Sequence, residues 1–163
     1  MLNPNPVGYD AASERQVFLL KLDSLQTPWT MPIVEGRHFT CFCAMDARNV
    51  TAEELGEFCA RLISIGCAYL STWGPDCERV HDVMDDVDLG SRPHETYLGC
   101  LMTTWHAKDS LEDALHFFLY AADPDEEYAP NGCGLALAIS VGSTDWNIAI
   151  ERYLKAETAS DPT

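Results

Sequence analysis

Basic residues are scarce in this chain: 10 Lys and Arg stand against 26 Asp and Glu, a formal charge of −16 with histidines neutral. A field of that sign repels the phosphate backbone, which argues against ordinary nucleic-acid binding, and it repels anionic membranes as well. Long apolar runs are also lacking; none reaches the roughly 18 residues of a membrane span. Met1 to Asp10 hold neither a basic n-region nor an apolar h-region, so no signal peptide is expected. The glycine-rich phosphate loops G-x-G-x-x-G and G-x-x-x-x-G-K-[ST] are missing, as is the G-x-S-x-G nucleophile elbow. No C-x-x-C pair occurs, and the five histidines are scattered at 38, 81, 94, 106 and 116. No metal and no cofactor is therefore expected, and His81, Asp82, Asp85 and Asp86 read as a solvated acidic face.

What is present is ordinary globular material. The 163 residues, 47% hydrophobic and 22% charged, suit one domain with its own core. The seven cysteines are odd in number and sit mostly in apolar runs, as small buried hydrophobes do in a reducing cytosol, so a cytoplasmic location is expected. Polar, Pro- and Asn-rich residues 1–13 read as a flexible tail, residues 14–157 as a single α/β domain, and residues 158–163 as a second flexible tail.

Strand and helix signals alternate along that domain. Val17–Leu22 reads as a strand, the Pro-containing stretch Gln26–Gly36 as a loop, and Phe39–Met45 as a second strand. Thr51 and Glu54 have capping-box spacing, and Leu55, Phe58, Cys59, Leu62 and Ile63 recur on one helical face up to a terminating Gly66. Cys67–Trp73 is the next strand. Gly74-Pro75 breaks it, with Pro75 suited to the first helical turn, and the following helix turns Val80, Val83, Met84 and Val87 inward. Tyr97–Trp105 is a further strand. Ser110 and Asp113 open a helix with Leu111, Ala114, Leu115 and Phe118 inward, closed by Asp123-Pro124. Gly134–Val141 is apolar on both faces, as a buried parallel strand would be, and Thr144 caps a last helix with Trp146, Ala149, Ile150, Tyr153 and Leu154 on its stripe. This order predicts a single three-layer α/β/α domain with right-handed crossovers and a mainly parallel sheet of about five strands, the direction of the first left open.

An internal echo marks the candidate site. Tyr69-Leu-Ser-Thr-Trp-Gly74 and Leu101-Met-Thr-Thr-Trp-His106 share one pattern, and each ends a strand before a helix. Ligands bind outside the carboxyl ends of parallel strands, so Thr72, Trp73, Thr103, Thr104, Trp105 and His106 are expected to line a common pocket. Cys77 falls in a first helical turn, where the dipole lowers a thiol pKa. His106 is then the candidate base and Asp76 or Asp82 the orienting carboxylate. The plainer alternative is packing: tryptophans capping the core, and a cysteine that is merely buried.

At W-G-P-D-C-E-R-V-H-D (73–82) and M-T-T-W-H-A-K-D-S-L-E-D-A-L (102–115) the chain resembles a bacterial domain family of unknown function, over roughly residues 38 to 120. That resemblance implies no activity. In its small size and acidity the chain is also similar to immunity or inhibitor proteins of bacterial toxin systems.

Two function classes follow. The first is a non-enzymatic binding protein that neutralises a basic protein partner, such as a toxin. It would use the acidic stripe Glu78, Asp82, Asp85, Asp86 and Asp88 and the acidic loop Asp125, Glu126 and Glu127. The second is an enzyme or small-molecule sensor built on Cys77 and His106. The absence of a recognised catalytic motif favours the first.

Overall fold

The computed structural model describes residues 1–32, 36–91 and 99–159. Among these are strands β1 (Asn5–Asp10), β2 (Arg15–Leu22) and β3 (Phe39–Ala44), then helix α1 (Ala52–Ser64) and strand β4 (Cys67–Trp73). Helix α2 (Cys77–Ser91), strand β5 (Met102–Trp105) and helix α3 (Leu111–Tyr120) follow. A 3₁₀ segment (Glu126–Asn131), strand β6 (Leu135–Val141) and helix α4 (Thr144–Glu157) complete the order. One six-stranded sheet runs β1-β2-β6-β3-β4-β5. Among the strand pairs of the described residues, β1–β2 alone is antiparallel; β2–β6, β6–β3, β3–β4 and β4–β5 are all parallel. The mainly parallel α/β domain expected from the element order is what the chain forms.

Alternation along the strands divides the core in two. Leu20, Cys41, Cys43, Leu70 and Leu137 face α1 and α2, which contribute Leu55, Leu62, Val80 and Met84. Val17, Leu19, Phe42 and Ala138 face α3 and α4, which contribute Leu115, Phe118, Ile150 and Leu154. Both faces of β3, β4 and β6 are covered, which is why these strands read as unbroken apolar runs.

The helix starts follow local chemistry. The Thr51 hydroxyl accepts the Glu54 N–H and the Glu54 carboxylate accepts the Thr51 N–H, a reciprocal cap. Ser110 caps α3 without that reciprocity: its hydroxyl accepts the Asp113 N–H, and the Asp113 carboxylate lies against the hydroxyl and not the Ser110 N–H. Helix α4 is capped by Ser143, one residue before the expected Thr144. Helix α2 starts at Cys77, so Pro75 precedes the first turn instead of lying in it. The intervening Asp76 takes φ 62°, a left-handed conformation that interrupts the helix there.

The N-terminal segment corrects the expected loose tail. Residues Asn5–Asp10 pair with β2 as the sheet's antiparallel edge, with a register shift between Pro6 and Gly8. A proline is tolerated at such an edge because one side of the strand has no ladder to join. The opposite tail begins ordered too, since Tyr9 and Ala159 exchange backbone hydrogen bonds. Residues 33–35 of the expected loop, Tyr97 and Leu98 of the expected strand, His94, and residues 160–163 lie outside the described residues.

Candidate functional site

Strands β4 and β5 are neighbours, so their carboxyl ends do meet. The register pairs Leu70 with Thr103, Ser71 with Thr104 and Thr72 with Trp105. The two sequence echoes are therefore offset by one residue in space, and a one-residue offset sends equivalent side chains to opposite faces. Trp73 lies on the α3/α4 side, edge-on to Trp146 with ring centroids 5.2 Å apart. Trp105 lies on the α2 side, against His81 at 4.5 Å. The two tryptophans do not share a pocket.

The expected reactive pair is not formed either. Cys77 is the first residue of α2 and is buried. Burial pushes its thiol up, against backbone hydrogen bonds, that of His106 first among them, which pull it down. The His106 imidazole is engaged elsewhere: Nδ1 lies 2.7 Å from Asp109 Oδ2 and Nε2 lies 3.2 Å from Thr104 Oγ1. Asp109 is thus the orienting carboxylate, a role sequence reading missed. Asp76 instead accepts from Arg79 Nε at 2.8 Å, and Asp82 pairs with His81 Nδ1 at 2.9 Å.

The threonines are likewise committed. Thr72 Oγ1 reaches the carbonyls of Cys77 (2.9 Å) and Thr104 (3.2 Å), tying β4 to the start of α2 and to β5. Thr103 Oγ1 donates to Asp85 at 2.6 Å, and Thr104 Oγ1 donates to Ser71 Oγ at 3.3 Å. Of the six expected ligand-binding residues, Trp73 and His106 line a cavity of about 430 Å³ at this rim, with Asp76, Asp109 and Trp146. The others do not. Gly74, φ 113°, also lines it; a Cβ there would collide with the Met45 carbonyl, so this turn requires glycine.

A family model for a domain of unknown function, DUF7684, matches residues 19–157, from within β2 to the last residue of α4. The chain belongs to that family. No curated protein and no solved structure matches it.

The DUF7684 domain has another, larger cavity, about 470 Å³, that also has Trp146 in its lining. It lies at the carboxyl ends of β2, β6 and β3 and includes Asp23, Asp46 and Ser143. These residues follow three strands far apart in sequence. Only the strand order, which inserts β6 between β2 and β3, brings them together.

The acidic helix face is partly as expected. Glu78, Asp82 and Asp86 are exposed on α2, and Asp85 is half-buried against Thr103. Asp88 is a correction: it falls on the inward stripe with Cys77, Val80 and Met84 and is only 7% exposed, so it cannot meet a partner. In the loop, Glu126 and Glu127 are exposed, whereas Asp125 accepts the backbone N–H groups of Glu127 and Cys100 and caps the 3₁₀ segment. Among the described residues, no three His, Cys, Asp or Glu side chains converge as a metal site would require.

Proposed function

We propose that this DUF7684 protein is a non-enzymatic, cytoplasmic binding protein that captures a basic protein partner, in the manner of an immunity or inhibitor protein neutralising a toxin. The observation behind this reading is the row of exposed carboxylates at 78, 82 and 86, spaced i, i+4, i+8 on α2, with no basic residue in that helix's last turn. On a chain of formal charge −16, such a row is where attraction for a cationic surface concentrates. The engagement of both His106 nitrogens away from Cys77 weakens the catalytic alternative. The test replaces Glu78, Asp82 and Asp86 together with lysine. Affinity capture followed by mass spectrometry identifies a partner, and the association rate of that purified partner is then measured against salt. The expected result is slower association with a flatter salt dependence for the triple variant. Equal association of wild type and variant would refute the surface.

One observation favours a second reading, small-molecule binding at the β4–β5 rim. His106 is held by Asp109 beside a cavity walled by Trp73 and Trp146. Its imidazole is buried and occupied at both nitrogens, so a ligand in the cavity would meet the half-exposed Asp109 carboxylate that His106 orients. Loss of biological activity in His106→Ala, with folding and partner capture retained, supports it; full activity in that variant removes it.

A further inference from the structure

The larger of the two cavities lined by Trp146 has a composition that selects a ligand class. It sits where successive connections leave the sheet on opposite sides, since β3 is followed by α1 on one face and β6 by α4 on the other. Such a switch point opens a crevice outside the strand ends. A volume of about 470 Å³ admits a small organic molecule. Met45, Val141 and Trp146 provide apolar wall, Asp23, Asp46 and Glu54 provide charge, and among the described residues no Lys, Arg or His lines it.

The three carboxylates differ in what they have left to offer. Asp46 is held by Arg48 through two contacts, at 2.9 and 2.6 Å, which keep its carboxyl below the ordinary range. Glu54 accepts from the Thr51 N–H and from Gln26, and is lowered as well. Asp23, immediately after β2, has no hydrogen-bond or salt-bridge partner among the described residues. The amino end of α4 opens at the same place and alone would favour an anion. Asp145 in its first turn and the three carboxylates of the wall reverse that preference. An indole beside a free carboxylate is a receptor for a cation on a hydrocarbon stem.

We propose that this cavity is a binding site for a primary alkylammonium group, with Asp23 as the charge partner and Trp146 as the aromatic wall. The chemistry is shared by a free linear amine and by a lysine side chain of a protein partner. The site is independent of the α2 surface and stands or falls separately from it.

The experiment titrates the full chain with the diamine putrescine, with its neutral diol isostere, and with a short lysine peptide blocked at both ends. Tryptophan fluorescence and calorimetry are the readouts, in wild type, Asp23→Asn and Glu57→Gln, the last an exposed α1 carboxylate outside both surfaces. Expected is saturable binding of putrescine or the lysine peptide but not of the diol. Asp23→Asn should weaken that binding roughly tenfold or more, and Glu57→Gln should leave it unchanged. Putrescine alone binding assigns the free amine; the peptide binding more tightly assigns a partner's lysine. The proposal is overturned if neither cation binds better than the diol, if Asp23→Asn binds like wild type, or if Glu57→Gln weakens binding as much. Thermal melts of each variant confirm that the comparison is made on folded protein.

Discussion

Arg79 tests whether the rim is held by charge pairing or by backbone carbonyls. Its guanidinium donates to the carbonyls of Ala47 and Val50, on the loop after β3, and to the Asp76 carboxylate. The ion pair is partly solvated, with side chains 32% and 41% exposed. Exposed pairs contribute only about 0.2–1 kcal/mol. The two carbonyls are different, because a hydrogen bond from a charged donor is worth about 1.5–3 kcal/mol. Water replaces part of this at a third-exposed arginine, leaving about 2–3 kcal/mol for Arg79→Met. For a domain of this size that lowers the melting temperature by about 5–10 °C. Asp76→Asn should cost under about 1 kcal/mol, because asparagine also tolerates the left-handed backbone at this position. The assay is urea and thermal unfolding of both variants. Equal destabilisation by the two substitutions, or a shift under about 2 °C for Arg79→Met, would refute the assignment of the clamp to the carbonyls.

Two other outcomes follow from the same geometry. Lys155 and Lys21 hold the Glu151 carboxyl down to about 2, against an ordinary value of 4.5. A depressed acid contributes stability above its unfolded pKa and loses it as pH falls through the folded value, so this contribution fades between about pH 4.5 and 2. Glu151→Gln should flatten the acid limb of stability against pH over that window; an unchanged limb counts against the assignment. In thiol labelling of native protein, Cys100, the one exposed cysteine, should react first and buried Cys77 slowly. Peptide mapping that found Cys77 modified at a rate matching Cys100 would restore the nucleophile that burial argues against.

Much of the fold was written in local patterns. Thr51 with Glu54, Ser110 with Asp113, and the 55/58/59/62 stripe each specify a helix from within a few residues. The buried strands announced themselves through apolar runs. Strand β1 did not, because Asn5, Pro6 and Gly8 carry no strand preference and are held by pairing with β2. The site was less legible. That β4 and β5 adjoin could be inferred from their order, but whether Trp73 meets Thr104, Trp105 or His106 depends on a register that no local signal encodes. Asp109 was overlooked because its partner lies three residues back in the same turn, where the motif reading ended at His106. Asp88 was misplaced because a helical stripe assigns faces by period, and the outward face was extended one residue too far.

Trp146 belongs to the lining of both rim cavities, and its ring rests edge-on against Trp73. A single indole is thus common to two compartments. A molecule held in either one would alter the surroundings of the same ring, so that residue is where the two neighbouring hollows have a structural element in common.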